Sequence, residues 1–219
     1  PKMFLIGRSG HGKSSLINLI PRLYDVTSGA VLLDGIDVRK YPIGVLRKNI
    51  GLVPQENFLF SETLANNILY GNEDGNQELV NQVSEIAQLK KDIETFPQGY
   101  ETILGERGIT LSGGQKQRSS LARSLAIDPK ILILDDSFSA VDTHTEEEIL
   151  KRLKDFMKNR TSIIISHRIS TVKESDKIFV IDKGKIVEEG KHDELVAKGG
   201  IYADMHFKQL LEEELSEME

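Results

Sequence analysis

The sequence predicts an α/β fold: a core built on a mixed, mainly parallel sheet, interrupted by an inserted α-helical subdomain. Two observations predict it. Short apolar runs bounded by turn residues, at 3–6, 131–134 and 162–165, suit strands buried on both faces of a parallel sheet. Helical apolar periodicity falls between them, and strand–helix alternation is the pattern of an α/β sandwich.

The elements follow in chain order. The 3–6 run leads through a glycine-rich stretch into a helix, on which Leu16, Leu19 and Ile20 are expected to share a face. Residues 50–53 read as a strand ending at Pro54. From about 61 to 98 there are helical patterns but no convincing strand. Residues 57–127 are therefore read as the helical insertion, and 1–56 with 128–219 as the core. Leu121 and Leu125 share one helical face; Ile149, Leu150, Leu153 and Phe156 share another. The runs at 178–181 and 185–188 flank Asp182-Lys183-Gly184 and predict a hairpin. The tail from 201 to 219 predicts a helix with an acidic, solvated end.

Composition narrows the function. With 39% hydrophobic and 28% charged residues, the 219-residue chain can bury a core of ordinary size. A net charge of −6 argues against nucleic acid as a partner, since neutralising phosphates requires clustered Lys and Arg. Cysteine is absent, which excludes disulfides and thiolate metal sites. No apolar run approaches the ~18 residues of a membrane span.

Gly7-Arg8-Ser9-Gly10-His11-Gly12-Lys13-Ser14 matches G-x-x-x-x-G-K-[ST] between the 3–6 strand and a helix, the context this motif requires. It predicts a P-loop NTPase (RecA-like) core. Glycines let backbone N–H groups converge on the β- and γ-phosphates. The following helix directs its N-terminus at the same anions. Lys13 adds a positive charge, and the Ser14 hydroxyl can ligate Mg²⁺. These eight residues and the adjoining Ser15 are the candidate ATP-binding residues, with no catalytic role expected of His11. The bland alternative is a glycine-rich turn.

The 131–134 run ends in Asp135-Asp136. Ligands of a parallel sheet bind beyond the carboxyl ends of its strands, which places two acids beside the phosphates. Neighbouring side chains of an extended chain point oppositely, so different roles are expected. Asp135 is the candidate Mg²⁺ ligand, and Asp136 the candidate general base for an attacking water. A helix N-cap or a plain turn acid is the alternative.

Leu111-Ser112-Gly113-Gly114-Gln115, followed by Lys116-Gln117-Arg118, resembles the signature motif of ATP-binding cassette (ABC) ATPases. Val53-Pro54-Gln55 resembles that family's Q-loop, Ser139-Ala140-Val141-Asp142 its D-loop, and Ser166-His167-Arg168 its switch-histidine motif. With the Gly7–Ser14 loop these make five motifs in the family's order, and the resemblance covers essentially the whole chain. It implies a head-to-tail dimer in which two ATP molecules are sandwiched between one subunit's phosphate loop and the other's signature motif. Ser112, Gly113, Gly114, Gln115 and Asp142 would then face the ATP of the opposing subunit. The residues agree: Ser112 is a suitable N-cap and Gly113-Gly114 a helix start. An ordinary capped helix is the alternative. The resemblance further implies that Gln55 meets Mg²⁺ and the attacking water, and that His167 bonds the γ-phosphate. A surface glutamine and a structural histidine are the alternatives.

The segment Asn57-Phe58-Leu59-Phe60 resembles the exporter branch, and Gly105-Glu106-Arg107-Gly108 its X-loop. That branch implies contact of Phe58, Phe60, Glu106 and Arg107 with a transmembrane domain. A hydrophobic patch and a solvated ion pair are the alternatives. Exporters of this kind carry the membrane domain on the same chain, ahead of the ATPase. The sequence is therefore expected to be the C-terminal part of a longer polypeptide at the cytoplasmic face of a cell membrane, itself soluble and truncated before the family's adenine-stacking tyrosine. One departure stands out. The family usually has glutamate where this chain has Asp136, a shortfall of about 1.5 Å in reach. It implies slowed hydrolysis and the degenerate-site half of a heterodimeric multidrug- or lipid-type exporter. The competing readings are a regulatory ATP-binding half, a non-transport ABC ATPase and a P-loop kinase. The last does not explain the signature motif.

Overall fold

The computed structural model describes residues 1–105, 109–166, 172–173 and 175–217. In chain order the first elements are β1 (Lys2–Ile6), α1 (Lys13–Asn18), β2 (Leu32–Leu33), β3 (Ile36–Asp37), α2 (Ile43–Lys48), β4 (Ile50–Val53), α3 (Leu64–Leu69) and α4 (Gln77–Ile86). Next come α5 (Lys90–Ile93), α6 (Gly113–Ala126), β5 (Ile131–Asp135), α7 (Thr143–Met157) and β6 (Thr161–Ile165). The chain closes with β7 (Lys177–Asp182), β8 (Lys185–Gly190), α8 (His192–Lys198) and α9 (Ile201–Glu217). Among the described residues no helix is long and apolar enough to cross a membrane. The architecture is the α/β class expected, with mainly parallel strands.

Two compact units divide the chain: residues 1–40 with 161–219, and residues 41–160. In the first unit the strand order is β6-β1-β7-β8. β1 runs parallel to β6 (Lys2↔Ser162 to Leu5↔Ile165) and to β7 (Met3↔Lys177 to Ile6↔Val180). Phe4, Leu5, Ile6, Ile163, Ile164 and Ile165 are all buried, as strands flanked on both sides require. β7 and β8 form the expected antiparallel hairpin. Its loop is Lys183-Gly184, with φ 47° and 76°, the doubly positive geometry of a type I′ turn. A smaller hairpin, β2–β3, turns at Asp34-Gly35 with φ 49° and 77°. The Asp-Gly pair is a strong hairpin signal, and the sequence reading passed over it.

Two helical faces shift from expectation. In α1 the buried positions are Lys13 and Ile17, while Leu16 is exposed. The helix ends at Asn18, so Leu19 and Ile20 lie beyond it and the proposed face does not persist. In α7 the inner face is Glu146, Ile149, Leu153 and Met157. Phe156 is half-buried, and its ring lies 3.9 Å from the Arg160 guanidinium carbon.

In the second unit β4 and β5 pair in parallel, from Ile50↔Ile131 to Val53↔Leu134. Helix α6 packs against β4 and against α3 and α4, burying Leu121, Ala122, Leu125 and Ala126. Its approach to β4 is close. A Cβ on Gly51 would stand 2.7 Å from the Ser124 carbonyl oxygen, and Ser124 Oγ donates to Leu52 O at 3.1 Å.

Candidate functional site

The loop from Gly7 to Gly12 leaves β1 with a geometry that side chains resist. Gly7 has φ 155°, and a Cβ there would sit 2.2 Å from the Ile181 carbonyl oxygen of β7. Gly12, with φ 92°, turns the chain into α1 without a capping side chain. Lys13 opens α1 and is only 7% exposed. Its ammonium donates to Gly7 O at 2.8 Å and to Arg8 O at 2.9 Å, so a cation stands inside the loop, held by the loop's own carbonyls. Arg8, Ser9 and Gly10 are exposed, Ser14 is half-buried and Ser15 is exposed.

His11 has a structural task in this loop. Its Nδ1 lies 3.0 Å from Asp182 Oδ1, and its carbonyl accepts from Gly184 N–H at 3.2 Å. The loop is thereby pinned to the β7–β8 turn. Between them lies a cavity of about 290 Å³, lined by Gly7, Arg8, His11, Ile181, Asp182, Lys183 and Ile201.

Asp135 and Asp136 occupy the carboxyl end of β5 in the second unit. Asp135 is 6% exposed and Asp136 half-buried. Their difference does not come from strand alternation, as the sequence suggested. Asp136 has already left the strand, with φ 46°. Aspartate is among the few non-glycine residues that tolerate this left-handed region. The next residue, Ser137, is buried, and its hydroxyl donates to Val53 O at 3.1 Å. That bond holds the end of β5 against the end of β4, two residues before the exposed Gln55.

The segment after Gln55 is held from below. The buried Asn67 of α3 accepts from Phe60 N–H at 2.8 Å and donates to Phe60 O at 3.1 Å. Arg123 of α6 donates to Phe58 O at 2.9 Å and to Asn67 Oδ1 at 2.9 Å. Its guanidinium carbon lies 5.5 Å from the Phe60 ring centre and 5.8 Å from that of Tyr70. Burial lowers the Arg123 pKa from its ordinary value. Phe60 is half-buried in this cluster, whereas Phe58 is 68% exposed.

The signature segment starts α6 as expected, with Ser112 as N-cap. The bond is reciprocal: Ser112 Oγ accepts from Gln115 N–H at 3.2 Å, and Gln115 Oε1 accepts from Ser112 N–H at 2.9 Å. Both glycines pack on the segment Ser139–Asp142. A Cβ on Gly114 would stand 2.7 Å from Ala140 O, and one on Gly113 3.2 Å from Ala140 Cβ. Gln117, 5% exposed, completes the join. Its amide donates to Ser139 Oγ at 2.9 Å and accepts from Ala140 N–H at 3.0 Å. Asp142 caps α7, accepting from Thr145 N–H at 2.9 Å. That backbone bond, more than the Thr145 side chain, holds its carboxyl below the usual carboxylate range.

The structure thus brings Ser112, Gly113, Gly114, Gln115 and the Asp142 turn into one packed cluster, and places the Gly7–Ser15 cradle in the other unit. His167, Glu106 and Arg107 lie outside the described residues. Asn67, Arg123 and Ser137 were missed, and Gln117 was named only as part of the signature segment. The S-x-x-Q spacing of Ser112 and Gln115 could have announced the capping box.

The donor types of the expected Mg²⁺ ligands, taken unit by unit, are those a divalent cation takes. In the second unit Asp135 places a buried carboxylate at the carboxyl end of β5 and Gln55 offers an amide oxygen, both hard donors; in the first unit Ser14 offers a hydroxyl. Among the described residues no group of three His, Cys, Asp or Glu side chains could hold a metal alone. Magnesium is typically bound by one or two carboxylates together with substrate phosphates.

Comparison with known proteins places this geometry. Residues 1–139 match the ABC transporter family. The chain is 50% identical over 206 residues to a protein of Staphylococcus aureus (strain bovine RF122 / ET3-1) named as a multidrug export ATP-binding/permease protein. The match covers 94% of this chain and 36% of that protein. It is 48% identical over 210 residues to the ATP-dependent lipid A-core flippase of Aromatoleum aromaticum, covering 95% of this chain and 35% of the flippase. A bacterial Atm1-family ABC exporter solved with ATP bound superposes with a TM-score of 0.92 at 41% identity, over 95% of this chain and 37% of the exporter. The chain therefore spans about a third of the length of these relatives. With the family matched over more than half of its residues, the chain belongs to the ABC transporter family.

Proposed function

We propose that this chain binds Mg·ATP in the Gly7–Ser15 loop and acts within a head-to-tail pair of ABC ATPase domains to power export through a membrane domain. The observation that carries this reading is the buried Lys13 ammonium, seated among glycines where β1 meets α1. A phosphate entering the loop meets a cation already in place, and exchange of the Gly7 and Arg8 carbonyls for phosphate oxygens needs no large movement of the lysine. Ser14, Asp135 and Gln55 would hold Mg²⁺, which when bound neutralises charge on the β- and γ-phosphates.

The rest of the reaction falls to the chain's own groups. Ser112 and Gly114 contact the γ-phosphate held by the opposing subunit and so close the pair. Gln55, Asp136 and His167 orient the attacking water, and Asp136 accepts its proton. Phe58 and Phe60, with Glu106 and Arg107, pass the movement to the membrane domain at its cytoplasmic side. The exposure of Phe58 above the Arg123 cluster supports that contact. The names of the relatives support an exporter and a membrane domain on the same parent chain.

Asp136 favours a second, narrower reading: this chain is the degenerate-site half of a heterodimer, turning over slowly itself while its intact signature completes the partner's site. The test of the main reading is Lys13→Ala. Tight ATP binding should be lost in equilibrium titration of the variant, and wild-type affinity would refute the cradle assignment.

A further inference from the structure

The signature helix is braced by a residue that none of the family's motifs contains. Asp92, in α5, places both carboxylate oxygens on α6. Oδ1 accepts from Gln115 Nε2 at 2.8 Å, and Oδ2 accepts from Arg118 Nη1 at 2.5 Å. The pair is largely enclosed, with 19% of the Asp92 side chain and 13% of the Arg118 side chain exposed. Arg118 is anchored further, by Gln88 O at 2.5 Å and by Gly114 O at 3.3 Å.

An ionised carboxylate can only accept hydrogen bonds. It therefore selects one of the two orientations open to the Gln115 amide, the one that turns the NH₂ group toward Asp92. The same choice turns Oε1 toward Ser112 N–H, where it completes the capping box at 2.9 Å. In the flipped orientation two donors would face each other at Ser112, and the box would open. We propose that Asp92 is a positioning residue: acting through Gln115, it fixes the pose in which Ser112 meets the γ-phosphate of the opposing subunit. This rests on the signature reading given above. The bonds concerned lie within one compact unit, residues 41–160.

The experiment uses the full transporter that contains this chain, with the apparent KM for ATP of its ATPase as the readout and ATP binding at the Lys13 loop as the control. A hydrogen bond to a charged group contributes enough for Asp92→Ala to raise that KM about tenfold, while binding at the Lys13 loop stays unchanged. In a Ser112→Ala background the same change should add less than about twofold, because Asp92 acts through Ser112. An exchange of partners, Asp92→Asn with Gln115→Glu, reverses only the bond between positions 92 and 115, keeps an acceptor toward Ser112 N–H and one toward Arg118, and should recover most of the lost affinity. Gln115→Glu alone sets two carboxylates against each other and should not. The exchange also decides the matter if Asp92→Ala fails to fold. An unchanged KM in Asp92→Ala, an additive effect with Ser112→Ala, or no recovery in the exchange overturns the brace alone. A Ser112→Ala transporter with wild-type KM overturns the signature reading, and the brace with it.

Discussion

The cradle makes a graded prediction at two of its glycines. At Gly7, alanine would place a methyl group 2.2 Å from the Ile181 carbonyl oxygen. Relief to an ordinary contact requires a displacement of about 1 Å between the loop and β7. The parallel ladder of β1 and β7 runs up to Ile6↔Val180, immediately beside the clash, and resists such a shift. The atom struck is backbone and cannot rotate away. Overpacking of this kind together with a strained φ should cost about 3 kcal/mol or more. Gly10 also has a positive φ, 78°, but a Cβ there meets nothing within 4 Å. Gly10→Ala should therefore cost only the left-handed penalty, about 1–2 kcal/mol. At ~2–4 °C per kcal/mol for a chain of this size, the melting temperature should fall about 10 °C for Gly7→Ala and about 4 °C for Gly10→Ala. Binding should diverge further, because Gly7 O is one of the two carbonyls that hold Lys13. The assay is thermal unfolding of each variant with and without ATP, beside an equilibrium nucleotide titration. A Gly7→Ala chain that melts within about 2 °C of the parent and keeps its ATP affinity would refute the close-packed cradle.

Two further variants test contacts outside the cradle. Gln117→Leu leaves the Ala140 N–H without its partner at a buried position, so denaturant melts should show a loss of about 1–3 kcal/mol; Gln117→Glu, which keeps an acceptor there, should lose less. Glu188 is 8% exposed and receives both Ile201 N–H and Tyr202 N–H at the start of α9. Glu188→Gln should weaken that start by about 1 kcal/mol, read as several-fold faster hydrogen exchange at the two amides, and unchanged exchange would remove the cap from the account.

What could be read in the sequence was contiguous in it. The phosphate loop, the strand ends and the Ser112 cap each lie within a few residues, and local geometry follows from local chemistry. The strands beneath them were legible because parallel burial demands unbroken apolar runs, and β1, β5 and β6 show such runs. Helical phase was harder. In α7 apolar residues flank the true inner row on both sides, and choosing Phe156 over Met157 shifts the face by one position. Contacts made by packing were not legible at all. Asp92 stands 23 residues before Gln115, and Arg123 stands 65 after Phe58. No spacing rule connects such pairs until the helices are placed.

Asp136 is where sequence and backbone pull in different directions. A glutamate there would regain about 1.5 Å of reach toward a water that a general base must approach to ~2.6–3.2 Å. The backbone, however, turns left-handed at this residue, φ 46°, where aspartate is better tolerated than glutamate. Asp136→Glu should then trade stability for chemistry: a fall of up to about 1 kcal/mol in unfolding free energy, with faster turnover and greater nucleotide trapping at this site in the full transporter. Opposite signs matter, because a substitution that merely damaged the fold would lower both. If turnover and trapping stay at the parent level, the short side chain is not what limits this site, and the degenerate-half reading has no remaining support in the chain.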